Sequence, residues 1–152
     1  MFNILIKHNL NQQEKMKIFS LKDQFWNFGL QEQKLWFKKN INKNDIHIFF
    51  QKKKKIIAYN CLRLKKLNNH DFYLLDTLIV DKKSKKNGYG GHLLDINKII
   101  SLSKEKPIFL KSSKLVGSFY KRFNFNLIMK KRNFLYFDYN NKEKLQNCLK
   151  KI

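Results

Sequence analysis

Arginine is nearly absent from a chain that is otherwise rich in positive charge. Only Arg63, Arg122 and Arg132 occur among 33 basic residues, against 11 acidic ones, for a formal net charge of +22. A charge of that size would ordinarily point to nucleic acid or another anionic partner. Bidentate recognition, however, favours Arg over Lys. Lysine alongside abundant Asn, Ile and Phe is also what A+T-rich codons would yield without any selection for binding. Nucleic acid is therefore a possible partner and not the favoured one, although the charge repels cations and attracts anions at low salt whatever its origin.

Proline occurs once and glycine five times, while 43% of residues are hydrophobic and 14% aromatic. That excludes disordered and low-complexity classes. Cys61 and Cys148 lack the Cys-x-x-Cys spacing of a redox or metal site, and no His/Cys/Asp cluster has ligand spacing, so reduced thiols and no metal are expected. The apolar start Phe2-Asn3-Ile4-Leu5-Ile6 is broken by Lys7, and no run approaches the ~18 apolar residues of a membrane span. A soluble, cytoplasmic protein without a membrane partner is the expectation. The 152 residues suit a single domain, 1–152, as a monomer or homodimer.

Periodicity predicts a strand over 2–7, then a helix capped near Asn11 that carries Ile18, Leu21, Phe25 and Phe28 on one face and ends at Gly29. A shorter helix is predicted over 31–40, followed by a polar loop. Three strands follow (46–51, 56–64, 72–80), parted by Lys52–Lys55 and Asn68–Asp71, and they should form an antiparallel meander. The lysine run reads as a solvated hairpin tip in preference to a binding patch. A helix over about 88–104, a strand at Ile108, a helix through Phe123, strands over about 125–129 and 134–139 and a Lys-rich amphipathic tail complete the order. An α+β protein follows, with a mixed, mostly antiparallel sheet flanked by helices. Core packing or a partly exposed surface is favoured over substrate contact for Trp26, Trp36 and Phe37.

The most informative stretch joins the third strand of the meander to the next helix: Val80-Asp81-Lys82-Lys83-Ser84-Lys85-Lys86-Asn87-Gly88-Tyr89-Gly90-Gly91-His92-Leu93. Three of the five glycines are here, ahead of Leu93, Ile96 and Ile100 at helical spacing. Such a turn offers free N–H groups and the positive end of a helix dipole to an anion. A Rossmann fingerprint fails because its third glycine would fall on Leu93, and a Walker A loop fails because His92 follows Gly91.

Lys85-Lys86-Asn87-Gly88-Tyr89-Gly90 does resemble the pyrophosphate loop of the GNAT superfamily of N-acetyltransferases, Arg/Gln-x-x-Gly-x-Gly/Ala after a strand ending in Val. Downstream, Ser113 to Phe125 resembles that superfamily's Asn-x-x-Ala-x-x-Leu-Tyr-x-x-x-Gly-Phe, and the two blocks span about residues 72 to 127. The resemblance implies the acyl-CoA N-acyltransferase fold and acetyl-CoA as cosubstrate. It implies that Lys85, Lys86, Asn87, Gly88, Tyr89, Gly90 and Gly91 hold the pyrophosphate. Backbone groups of Leu78, Ile79 and Val80 would pair with the pantetheine arm, and Ser113 would bond it. The first two helices would line the acceptor site.

Tyr120 matches the tyrosine that protonates the leaving thiolate, although a half-buried packing role is the plainer alternative. Asp76, four residues before Val80, stands where several relatives carry Glu. Burial there would strengthen it as a base. Local hydrogen bonding, or binding of the acceptor amine without proton transfer, would account for it equally well. His47, His70 and His92 are weaker candidates. Lys85 replaces Arg or Gln, Lys86 a frequent Gly, Ser113 an Asn and Asn124 a Gly; lysine retains the charge and Asn tolerates left-handed backbone. The function these residues favour is acetyl transfer from acetyl-CoA to a primary amine in a ternary complex. The acceptor would be a small molecule or an anionic carrier. A basic RNA- or ribosome-associated binder and a non-catalytic acetyl-CoA-binding fold are the alternatives.

Overall fold

A computed structural model describes residues 1–142. Its seven strands form one mixed sheet in the order β1-β2-β3-β4-β5-β7-β6. The chain divides into two compact units, one made of Met1–Arg63 and Thr77–Leu93, the other of Leu64–Asp76 and the residues from Leu94 on. No helix among the described residues is long and apolar enough to cross a membrane.

In the first unit β1 (Phe2–Lys7) runs antiparallel to β2 (Ile46–Lys52), which pairs antiparallel with β3 (Lys55–Leu67). Helix α1 (Gln12–Asp23) starts at a capping box: Asn11 Oδ1 accepts the Glu14 N–H at 2.8 Å, and Glu14 Oε2 accepts the Asn11 N–H at 2.9 Å. It drives Ile18 and Leu21 into a core with Phe49, Ile56, Tyr59 and Ile79. Burying each such side chain contributes about 1.5–3 kcal/mol.

Gly29 does not end the first helix as its sequence position suggests. Helix α1 stops at Asp23, and Gly29 opens α2 (Gly29–Asn40) at φ +81°, its N–H donating to Asp23 Oδ1 at 3.0 Å. Phe25 and Phe28, which extend the helical spacing in the sequence, therefore lie in the link between the helices.

The second unit holds the start of β4 (His70–Val80), most of α3 (Tyr89–Lys104), β5 (Ile108–Ser113), α4 (Gly117–Arg122), β6 (Asn126–Lys131) and β7 (Phe134–Tyr139). A two-residue link, Asn68-Asn69, joins β3 to β4, and a link that short connects only antiparallel strands. The β4–β5 pairing is parallel and brief, Tyr73↔Ile108 and Leu74↔Phe109, whereas β5 and β7 pair antiparallel along their whole length. Phe72 and Phe109 meet edge to face at 5.4 Å beside Leu74. The amphipathic tail expected from the sequence falls outside the described residues from 143 on.

Candidate active site

In the first unit, β4 ends at Val80 and the chain turns sharply on Asp81. Asp81 is 2% exposed, and its carboxylate accepts from Gln24 Nε2 at 2.9 Å, Lys55 Nζ at 3.0 Å and Ser84 Oγ at 3.4 Å. Burial alone would push this carboxyl up, but those donors hold it below its ordinary value. The Asp81 N–H is tied to the Ile57 carbonyl at 2.8 Å, and the Lys82 N–H to Gln24 Oε1 at 3.2 Å, so the base of the loop is fixed on both sides. Asp81 was not singled out from the sequence. An acid among lysines looks solvated there, and the partners that bury it lie 26 and 57 residues away.

Above that base the loop exposes donors. A single 3₁₀ turn over Lys82–Ser84 is followed by Lys86 at φ +67° and Gly88 at φ +75°. Asn87 Nδ2 donates to the carbonyls of Ser84 at 3.0 Å and Lys85 at 3.3 Å, which occupies two of the loop's acceptors. The His92 N–H bonds the Gly88 carbonyl at 3.0 Å, making Gly88 the cap of α3. The N–H groups of Tyr89, Gly90 and Gly91 then have no partner within the helix. Lys85 and Lys82 each stand 5.6 Å from the Phe25 ring centre, and Lys85, Lys86 and Asn87 are exposed. The Tyr89 ring is taken up by packing, stacked on Phe2 at 5.9 Å and edge-on to Phe50 at 6.0 Å, so its backbone is what faces a ligand. Left-handed backbone at Lys86 and Gly88, first-turn N–H groups without a helical partner and exposed lysines thus gather in one loop, features that favour an anion. Leu78 and Val80 are half-buried at the end of β4 and Ile79 faces the core.

The second unit positions Asp76, Ser113 and Tyr120. Asp76 lies past the end of the short β4–β5 ladder and is exposed, so the burial expected to strengthen it as a base is missing. Ser113 ends β5, exposed, and caps the 3₁₀ turn over Lys114–Val116 without a side-chain bond. Helix α4 then carries Tyr120, half-buried among Phe119, Phe125 and Phe137 with ring centres 5.3 to 6.0 Å away. Burial pushes its phenol up to about 12. Among the described residues no side chain or backbone group bonds its hydroxyl.

The sequence following Tyr120 has a mechanical explanation. The Phe125 N–H reaches the Tyr120 carbonyl and the Asn124 N–H the Lys121 carbonyl, both at 3.1 Å, with Asn124 at φ +64°. This is a Schellman close, and the accompanying apolar contact is Tyr120 against Phe125. A residue that tolerates left-handed backbone followed by Phe is thus what fixes the backbone of Tyr120.

No protein-family model matches the chain, and no curated protein matches it in sequence. Solved structures do match in fold. An aminoglycoside 6′-N-acetyltransferase complexed with coenzyme A superimposes with a TM-score of 0.76 at 12% identity, covering 90% of this chain and 96% of its own. An acyl-CoA N-acyltransferase from Pseudomonas aeruginosa gives 0.73 at 13% identity, covering 91% and 99%. The PaiA N-acetyltransferase from Thermoplasma acidophilum, in complex with coenzyme A, gives 0.64 at 14% identity, covering 90% and 98%.

Proposed function

We propose, on the premise that this chain has the GNAT acyl-CoA N-acyltransferase fold, that it transfers an acetyl group from acetyl-CoA directly to a primary amine in a ternary complex. The observation that carries this reading is the donor-lined loop from Lys85 to Gly91, with Lys86 and Gly88 held at positive φ ahead of α3. Acetyl-CoA supplies an activated thioester. The chain's own residues supply the rest. Lys85, Lys86, Asn87 and the N–H groups of Gly88, Tyr89, Gly90 and Gly91 bind the pyrophosphate. Backbone groups of Leu78, Ile79 and Val80, together with Ser113, align the pantetheine arm.

Tyr120 holds the proton that the leaving thiolate needs. Its raised pKa keeps that proton in place throughout the physiological range, and among the described residues none bonds its hydroxyl. Asp76, exposed as it is, receives the acceptor's ammonium and passes its proton outward. The named aminoglycoside enzyme marks one class of amine that this fold can serve. A net charge of +22 disfavours such a polycation and favours an amine on an anionic molecule.

The test is to incubate the protein with isotopically labelled acetyl-CoA and a panel of anionic primary amines, reading acetylated product by mass spectrometry and free thiol by absorbance. Amine-dependent thiol release with label in the product supports transfer. Binding of acetyl-CoA without amine-dependent release would leave the non-catalytic reading standing.

A further inference from the structure

The first unit carries a second basic feature that acetyl transfer does not use. Between helix α1 and the β2–β3 hairpin lie two adjoining clefts, open to solvent, of about 910 and 260 Å³ that share Met16, Lys17 and Lys55. Lys53 and Lys54 rim the larger cleft, and the smaller one ends at Gln24, the residue clamped to Asp81 and to the Lys82 N–H. The groove therefore leads from the hairpin tip to the start of the lysine turn Lys82–Ser84. Among the described residues lining it none is acidic. We propose that this groove binds the phosphodiester backbone of a single-stranded nucleic acid.

The turn itself argues that its lysines are there for their charge. Lys53 and Lys54 sit at φ +47° and +65°, left-handed backbone that a lysine adopts at a cost. The β3–β4 link repeats the geometry, at +48° and +65°, with Asn68 and Asn69, which tolerate it far better. Lysine and asparagine are both plentiful in the chain, so composition does not decide which of them fills a tight turn.

The chemistry of the lining selects the partner. Lysine gives each phosphate a point-charge contact without the planar fork that reads base edges, which suits a sequence-independent hold on a phosphodiester backbone. Leu21 and Ile56, 2% and 3% exposed, form the floor of the groove. Just beyond Gln24 the chain presents Trp26 and Phe28, 39% and 68% exposed. Exposed rings beside a basic groove are what single-stranded nucleic acid uses, bases stacking while phosphates follow the charge.

The test is fluorescence anisotropy with a labelled oligouridylate of about 12 nucleotides, titrated from ~0.05 to ~0.2 M salt. Two variants of equal net charge are compared with the wild type: Lys17→Gln/Lys53→Gln/Lys54→Gln in the groove, and Lys111→Gln/Lys130→Gln/Lys131→Gln on exposed positions of the second unit. The groove variant should bind about tenfold or more weakly, and its slope of log affinity against log salt should shrink by about 2, near 0.7 per lost contact. The control variant should stay within about twofold of wild type, and both variants should melt with the wild type. Equal losses in the two variants would reduce the binding to diffuse charge and overturn the proposal, as would no binding by the wild type at low salt. Neither outcome bears on acetyl-CoA binding, which is measured separately.

Discussion

At the scale of single residues the clearest divide is between Tyr120 and His47, both shifted by burial and in opposite senses of use. Tyr120 has a hydroxyl without a bonding partner among the described residues and an acid form that persists to about pH 12. Tyr120→Phe keeps the ring packing and deletes the proton. Steady-state kinetics should show kcat reduced by ~10²–10⁴ with acetyl-CoA affinity unchanged. Equal turnover would return Tyr120 to packing alone.

His47 sits 1% exposed, stacked between Phe37 and Tyr59 and sharing a 2.9 Å hydrogen bond with the Tyr59 hydroxyl. Burial, aided by His8 and Lys15, lowers its pKa to about 4. The unfolded chain, with a histidine near 6.5, binds the proton first as pH falls. Stability is therefore complete above pH 6.5 and declines toward pH 4, by roughly 3 kcal/mol at most. Urea unfolding of the wild type should show this slope and His47→Gln should flatten it. Asp81 and Glu14, both held low, lose their contributions only in more acidic solution, so the windows separate. Tyr120 and the glycine loop stand out as candidates in the sequence because the motifs that carry them are local. Asp81 does not, because its burial is made by Gln24 and Lys55, far along the chain.

At the scale of elements, the order of strands and helices could be read from periodicity, and β1 was placed to the residue. The misplaced element is the α1–α2 link. Glycine serves equally at a helix end and at the start of the next, and Phe25 and Phe28 happen to continue the spacing of Ile18 and Leu21. The inner face of α3 was also turned: Leu93, Leu94, Asn97 and Ser101 are buried, while Ile96 and Ile100 are only partly so, because a buried polar side chain carries no apolar signal.

Helix α4 offers the sharpest test at this scale. Asn124→Gly should leave stability within ~0.5 kcal/mol, whereas Asn124→Ala should cost ~1 kcal/mol and lower turnover with Tyr120 still present, since the close that fixes α4 is strained. Gly117→Ala should change stability by no more than ~1 kcal/mol, because a methyl group there would lie 2.4 Å from Leu135 Cδ1, the movable end of a side chain, while helical backbone favours Ala. Thermal denaturation of the three variants checks both statements.

At the scale of the whole molecule the dominant property is charge. With +22 formal charges, matched anionic and cationic amines should respond oppositely to salt. From ~0.02 to ~0.3 M the anionic amine should lose kcat/KM and the cationic one gain it, as screening removes steering. A cationic amine that is the better substrate at low salt would place acidic groups at the acceptor site and reverse this choice of acceptor. The central claim, that the loop from Lys85 to Gly91 holds the pyrophosphate of acetyl-CoA, is tested most directly by the melting temperature with and without acetyl-CoA, for the wild type and for Gly90→Asp. An aspartate in the first turn of α3 suits the helix dipole but sets an anion against pyrophosphate. At about 100 times its dissociation constant, acetyl-CoA should stabilise the wild type by ~2.7 kcal/mol, or about 5–10 °C, and leave Gly90→Asp unmoved at an otherwise normal melting temperature. A wild type that does not shift, or a Gly90→Asp that shifts as much, would contradict it.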